Sequence, residues 1–439
     1  MKFPLLQKNR ILDQLFVFML IIYAGSATAF VRSMASWENL IGLLLPIIFA
    51  LIIGFWHRIN ISKNFIYLVL GYTLYNFILT VKFQVIHPRF FGIYLISFLI
   101  AYITIASLRY RFFIYYERIL YYLAIIALVF WGIHIIAPVA LSNILSQLSF
   151  KPGSSNVDSN IIIYTINNLS TIEATNINLG GLSLVRNSGF AWEPGGFACL
   201  IDLAIFVNLI RTRFRLHNNM KLWILTVTLI TTFSTTGISI FLLLIVFYAY
   251  NQKFRFGLLF VPIIIGLGIY VSTLSFMAEK LVDVSEYNTE DMIENSITYE
   301  NQSTPQRLES LEIDFVDFLN NPFFGYGGHM QERWTAKLGA DIATISGIGK
   351  VMAVFGIVGI LFFFYNLIKT SKELSILFRF KGWFFPFIVI IMISISYSLI
   401  FTSLLMCFWL INSTYLSKKQ KIGYLLDRFR IVKPSTRIG

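Results

Sequence analysis

The sequence predicts an all-α fold, a polytopic integral membrane protein of about 12 transmembrane helices with two long outer loops. Three observations predict it. Of 439 residues, 57% are hydrophobic and only 13% charged, too few charges to cover the surface of a soluble protein. Apolar runs of membrane-spanning length recur along the chain. The basic residues are segregated between alternate connecting segments.

The first run, 12–31, follows Lys2, Lys8 and Arg10. No small-residue cleavage site comes after it, so it reads as a retained helix and not as a signal peptide. Runs at 40–56, 65–81, 90–108 and 119–138 follow, then 194–210 after a polar stretch. A pair at 222–233 and 238–250 precedes 256–276, and a second polar stretch separates these from 351–368 and 383–416. The last run is too long for one span and divides near Ser394–Ser398.

The pair at 222–250 reads as a hairpin, because one long helix would put the basic cluster Arg211, Arg213, Arg215 and Lys221 opposite Lys253 and Arg255. Thr231, Thr232, Ser234, Thr235, Thr236 and Gly237 form its polar tip. Both arms are shorter than the ~20 residues of a full span. The tip is therefore either the floor of an outward-open cavity or a short turn between tilted spans.

With this division both termini lie on one side, which holds 25 of the 35 Lys and Arg residues and is predicted to be cytoplasmic. The other side carries 17 of the 22 acidic residues. The formal charge of +13 is thus a topology signal and excludes a nucleic-acid footprint. Cys199 and Cys407 fall inside apolar runs, which excludes a disulfide scaffold.

The chain is one membrane domain, 1–439, with outer loops at 139–193 and 277–350. The first loop is rich in Asn, Ser, Thr and Ile. The second opens with a solvated acidic stretch (Asp283, Glu286, Glu290, Asp291, Glu294). An amphipathic helix follows, with Thr304 as N-cap, Pro305 at its first position and Leu308, Leu311, Phe315 and Phe318 on one face. It is too short to span and should lie on the outer membrane face or cap a cavity. Asn321-Pro322 stops it, and Phe323-Phe324-Gly325-Tyr326-Gly327-Gly328-His329 makes an aromatic turn.

The candidate chemistry lies in these loops: Arg186, Glu193, Arg307, His329, Arg333 and Trp334. Outside the cytoplasm there is no nucleotide sugar, so an enzyme there needs a substrate carrying its own activation, such as a lipid-diphosphate sugar. Its leaving group calls for fixed guanidinium cations, and the attacking hydroxyl for a base, His or a carboxylate. Each residue also has a plainer reading. Arg186 and Arg307 suit surface ion pairs, Glu193 suits the start of a helix dipole before Pro194, and His329 suits an ordinary loop. Gly325, Gly327 and Gly328 read as turn formers, not a phosphate cradle, for want of a strand–loop–helix context. No metal and no cofactor is expected, since five scattered His and no acidic triad at ligand spacing argue against a metal site. Intramembrane ionisable residues are few: Asp13, His134 and Asp202, the last a cavity-lining or helix–helix hydrogen-bonding group.

Together these segments resemble the O-antigen polymerase and O-antigen ligase superfamily. Arg186-Asn187-Ser188-Gly189-Phe190-Ala191-Trp192-Glu193-Pro194-Gly195-Gly196 resembles its Arg…Gly…Glu/Asn-Pro segment entering a helix. Ser234-Thr235-Thr236-Gly237 is similar to its Ser/Thr-rich helix pair. Arg307…Asn321-Pro322-Phe323-Phe324-Gly325-Tyr326-Gly327 resembles its Arg-helix-Asn-Pro-x-x-Gly-x-Gly pattern, and Gly356 with Gly359 its later glycine pair. The likeness covers roughly 180–416.

The resemblance implies a bacterial inner-membrane protein of surface-polysaccharide (lipopolysaccharide) biosynthesis, with periplasmic loops and cytoplasmic termini. It implies a metal-independent glycosyltransferase that polymerises undecaprenyl-diphosphate-linked repeat units, with a chain-length regulator as a possible protein partner. A ligase passing the chain to lipid A–core is the same chemistry on another acceptor. Arg186 and Arg307 would hold the diphosphate, His329 would be the base, and Gly325, Tyr326 and Gly327 would support the loop. His329 stands 27 residues before Gly356, farther than in the family, which makes Glu193 the alternative base. A flippase for the same lipid-linked sugar is the competing class, but it calls for charges along a central pathway and short loops.

Overall fold

The computed structural model describes residues 5–25, 43–149, 157–167, 177–179, 182–252, 289–298 and 305–411. The chain is mostly helical, and among the described residues five helices are long and apolar enough to cross a membrane, with several shorter apolar ones beside them. The run at 256–276 and the residues Asp283, Glu286 and Thr304 lie outside the described residues.

Helices α1 (Leu5–Gly25), α2 (Leu44–Trp56), α3 (Lys63–Phe83), α4 (Pro88–Leu108) and α5 (Tyr110–Ile136) follow the predicted runs. Within the first polar loop an additional helix, α6 (Pro138–Leu148), precedes two small hairpins, β1 (Val157–Ile161) with β2 (Tyr164–Asn167) and β3 (Ile177–Leu179) with β4 (Leu182–Leu184). The strands depart from an all-α reading. They arise because β-branched residues alternate with polar ones there (Ile161, Thr165 and Ile166 among them), a pattern that suits a two-stranded ladder.

Helix α7 (Pro194–Thr212) is the axis of the molecule, with every side chain from Pro194 to Ile210 buried. Helices α5, α8 (Met220–Thr231) and α9 (Thr235–Asn251) pack on it. The pair α8–α9 is a hairpin. The start of α8 meets the end of α7 through Asn219 Nδ2 to Asn208 Oδ1 at 2.7 Å, and its end meets the segment before α7 through Asn187 N to Thr231 O at 3.0 Å. The end of α9 returns to the end of α7, where Gln252 Nε2 donates to Phe214 O at 2.7 Å. Hydrocarbon tails are as apolar as these side chains, so close packing holds the helices together. Gly237 shows this: a Cβ there would stand 2.6 Å from Ala198 Cβ.

The second loop contributes α10 (Thr289–Thr298), α11 (Arg307–Asn320) and the short α12 (Trp334–Lys337). The acidic stretch is thus helical over 289–298, where Met292 and Ile293 pack with Ile313, Ala340 and Ile342 in a small separate core. Helix α11 begins at Arg307, two residues later than Pro305 suggested. Gln306 is extended at ψ 174° and Glu309 Oε2 accepts from its backbone N–H at 2.9 Å, so that pair caps the helix. Its orientation inverts the usual amphipathic rule. Leu308, Phe315 and Leu319 are exposed, whereas Ser310, Asp314 and Asp317 are buried against the following long helix.

Helix α13 (Gly347–Phe378) is broken at Gly356, whose φ of 62° is not helical. The last apolar run divides where expected: α14 (Phe384–Ser396), a 3₁₀ turn (Ser398–Phe401) and α15 (Ser403–Trp409).

Candidate active site

Three breaks in the helical framework meet at the end of the molecule where α7 begins. They are the α8–α9 tip, the turn after α14 and the start of α13. Thr236 and Ser396 join the first two, hydroxyl to hydroxyl, at 2.9 Å. A Cβ on Gly347 would stand 2.5 Å from Tyr397 O, so glycine lets α13 start against the turn. Non-helical backbone survives inside a packed helical framework where protein supplies its partners, and here each break partners another.

The segment Arg186–Glu193 lies across this junction. Arg186 Nε donates to Thr232 O at 3.1 Å, and Asn187 Nδ2 to Thr231 Oγ1 at 3.0 Å. Trp131 Nε1 donates to Val185 O at 2.7 Å beside Arg186, and Trp192 N donates to Gly25 O at 3.0 Å, which fixes the other end. Gly189 takes a positive φ of 52° over the ring of Phe197. Glu193 precedes α7 in an extended conformation and makes no side-chain capping bond.

Its carboxylate faces the Tyr397 hydroxyl. From the other side, the first residue of α11 arrives: Arg307 donates from Nη2 to that hydroxyl, with its guanidinium carbon 4.8 Å from the ring centroid. Trp192 meets the Tyr397 ring edge-on at 6.0 Å. Any Cβ on Gly195 would collide with the Tyr397 hydroxyl and stand 3.2 Å from Arg307 Nη2, which is why the helix starts Pro-Gly-Gly.

Thus Arg186, Glu193 and Arg307, far apart in sequence, share one electrostatic environment. Burial works against the charge of Arg307, but Tyr397 and Glu193 outweigh it and hold its pKa above the ordinary arginine value. Burial lowers that of Arg186, with Arg307 adding to the fall and Tyr397 and Glu193 opposing it. Both remain guanidinium cations. Among the described residues, Arg307 Nε is buried without a hydrogen-bond partner. A buried, unsatisfied, charged donor costs several kcal/mol at most, on the order of 1–3 for the bond alone, and an anion seated there would satisfy it.

His329 is placed elsewhere. Its ring packs 4.2 Å from both Phe83 and His87 at the α3–α4 corner, and the charges acting on it are His87, Glu332 and Lys82. Burial, then His87, pushes its pKa below the usual histidine value. The 27-residue separation from Gly356 that set it apart in sequence corresponds to a different neighbourhood in space.

The turn residues Gly325, Tyr326 and Gly327 clamp the broken helix. Tyr326 N donates to Ala353 O at 3.0 Å, Gly327 N to Val354 O at 2.9 Å and Ile357 N to Pro322 O at 2.8 Å. Gly325 has φ 66°, and a Cβ there would overlap the Val354 carbonyl. The glycines of this turn and Gly356 are needed because two backbones run in contact; the N–H groups of Tyr326 and Gly327 point at α13, and that of Gly325 turns back to Asn321 O at 2.9 Å.

Arg333 forms a second buried cluster. Its Nε donates to Asp317 Oδ2 at 2.9 Å, its Nη2 lies 3.6 Å from Asp314 Oδ1, and its Nη1 donates to Ile342 O at 2.6 Å. Burial pushes the Asp314 carboxyl up to about 7, against the opposing charges of Arg333 and Lys350. Among the described residues, neither carboxylate oxygen of Asp202, buried within α7, has a hydrogen-bond partner. Trp334 spends its indole N–H on Ile313 O at 3.2 Å and belongs to the small outer core.

Sequence reasoning passed over Tyr397, the residue on which the cluster is centred. Its signal was the polar interruption Ser394–Ser398, which marked a break but gave no reason to look at the tyrosine within it. No family model, curated protein or solved structure matches this chain.

Proposed function

We propose that this chain is an inner-membrane glycosyltransferase that polymerises undecaprenyl-diphosphate-linked oligosaccharide repeat units at the periplasmic face. The observation carrying this reading is the convergence of Arg186 and Arg307, one from each polar loop, on Tyr397 beside Glu193. Two fixed guanidiniums with one unsatisfied Nε suit a diphosphate, which they would bind in forked fashion. In this reading the loops are periplasmic, both termini are cytoplasmic and the spans number about 12, as the distribution of 25 of 35 basic residues supports.

The chemistry needs no cofactor. The acceptor hydroxyl oxygen bonds to the anomeric carbon of the donor sugar while the bond from that carbon to the diphosphate breaks. The leaving diphosphate takes the bonding electron pair, and Arg186 and Arg307 stabilise the charge that develops on it. Glu193 receives the hydroxyl proton, a role its position opposite Arg307 suits better than the remote His329.

Deletion of the gene in its native host, read on a gel of surface polysaccharide, tests this. A ladder collapsed to core bearing a single repeat unit is the expected result. Loss of all glycan from core, with long chains still on the lipid carrier, would instead make the chain a ligase. Repeat units stranded on the cytoplasmic leaflet would make it a flippase, and an unchanged profile would overturn the substrate class.

A further inference from the structure

Where α5 and α8 meet, at the end of α7 opposite Glu193, a buried carboxylate has its charge matched. Glu117 is 1% exposed and receives both Nε and Nη2 of Arg211, while Asn208 Nδ2 donates to it at 2.8 Å. Two further cations share this field. Lys221, the second residue of α8, holds its ammonium 5.5 Å from the Tyr121 ring centroid, and Glu117, Arg211 and Arg118 all act on its charge. Arg118 is exposed on α5. Among the described residues neither Lys221 nor Arg118 makes an ion pair, so with Arg211 spent on Glu117 a positive surplus remains.

Beside these cations the surface turns apolar. Tyr122, Val129 and Ile133 of α5 are exposed, and so are Trp223, Val227 and Ile230 of α8. Spacings of 7 and 4, and of 4 and 3, put each set on one face of its helix. The two helices run the same way, since 185–187 meets α5 through Trp131 and the far end of α8 through Thr231. Both stripes therefore rise from the cations toward the first polar loop. The α5 stripe covers about 16 Å at helical rise, close to one leaflet of a ~30 Å hydrocarbon core. Tyr122 and Trp223 stand at its base, where aromatic rings sit at headgroup level.

We propose that this α5–α8 face binds one anionic phospholipid, its phosphate on Lys221 and Arg118 and its acyl chains along the two stripes. The charge surplus selects the headgroup. A zwitterionic lipid brings an ammonium to a surface that is already positive and gains less. A free phosphate meets the cations but leaves both stripes bare. The site lies at the other end of α7 from the Tyr397 cluster and does not depend on the chemistry proposed there.

The full chain in detergent, titrated with phosphatidylglycerol, with phosphatidylethanolamine of the same acyl chains and with inorganic phosphate, and read by native mass spectrometry, tests this. Wild type is expected to bind its first phosphatidylglycerol at least ten-fold more tightly than phosphatidylethanolamine. The double variant Lys221→Gln/Arg118→Gln should lose that preference. Arg118→Gln alone, at an exposed position outside the core, should lower it at least three-fold. The control Arg213→Gln/Lys381→Gln removes the same charge from exposed positions at the same end of the helices, where Gln252 bonds Phe214 O and Asn251 bonds Lys381 O, and should keep the preference. Retention of the preference in the Lys221 and Arg118 variants overturns the site. Equal loss in the control also overturns it, because the field of that whole side would then be responsible. So does inorganic phosphate displacing phosphatidylglycerol, which would leave an anion site with no lipid in it.

Discussion

Arg307 lies against the face of Tyr397 and donates to its hydroxyl, joining the first residue of α11 to the break between α14 and α15. The contact spans two parts of the chain 90 residues apart. It fixes a cation, held against the cost of burial by Tyr397 and Glu193, at the junction of three helix breaks.

Replacing Arg307 by Ala removes that cation and leaves the hydroxyl without its donor. Polymer formation should fall by about ten- to a hundred-fold, the effect of losing one charge-assisted hydrogen bond worth about 1.5–3 kcal/mol. Arg307→Lys restores the charge but not the fork, so it should recover only part of the rate. Polymer length distribution and membrane abundance of the protein, measured together, check this. Full activity of the Ala variant at normal abundance would remove Arg307 from the site.

His329→Ala should leave polymer formation within about two-fold of wild type, because its ring packs on Phe83 and His87 and takes no part in the Tyr397 cluster. The loss expected is in thermal stability, from the cavity left at the α3–α4 corner. A large fall in rate at unchanged stability would restore His329 as the base.

Asp314 gives a stability signature with a definite sign. Its folded-state carboxyl is pushed up to about 7, above its ordinary value of 3.8, so the folded protein holds a proton that the unfolded chain releases. Its contribution to stability is therefore greatest below pH ~4 and is lost as pH rises toward ~7. Asp314→Asn, which retains an acceptor for Thr344, should gain stability relative to wild type over that window, by a few kcal/mol at most, on the order set by linkage. Thermal inactivation midpoints of both proteins at pH 5 and pH 8 measure it. A difference between the two proteins that does not change with pH would show that Asp314 is ionised throughout.

Cysteine accessibility tests the proposed topology with little background, since Cys199 and Cys407 are both buried. Phe323, 69% exposed, lies in the second polar loop, and His217 is exposed between α7 and α8. Phe323→Cys should react with an impermeant maleimide in intact spheroplasts, and His217→Cys only after permeabilisation. The reverse pattern would invert the assignment of sides.

The amino-acid sequence by itself determined that this is a helical membrane protein, because hydrophobicity and helix length are local properties of consecutive residues. It also marked the break near Ser394–Ser398 and a hairpin turn at Ser234–Gly237, which the structure moves back to 232–234, with Thr235 already opening α9, since polar and small residues interrupt apolar runs where the backbone leaves the helix. It named Arg186, Glu193 and Arg307 but could not join them, nor separate them from His329. That depended on how α7, α11 and the turn at Tyr397 pack, which only the tertiary structure decided. The same holds for the inverted α11, whose buried Asp314 and Asp317 are matched by Arg333. A buried charge is tolerated when its partner is in place, and the partner comes from a different element, beyond the reach of any local pattern.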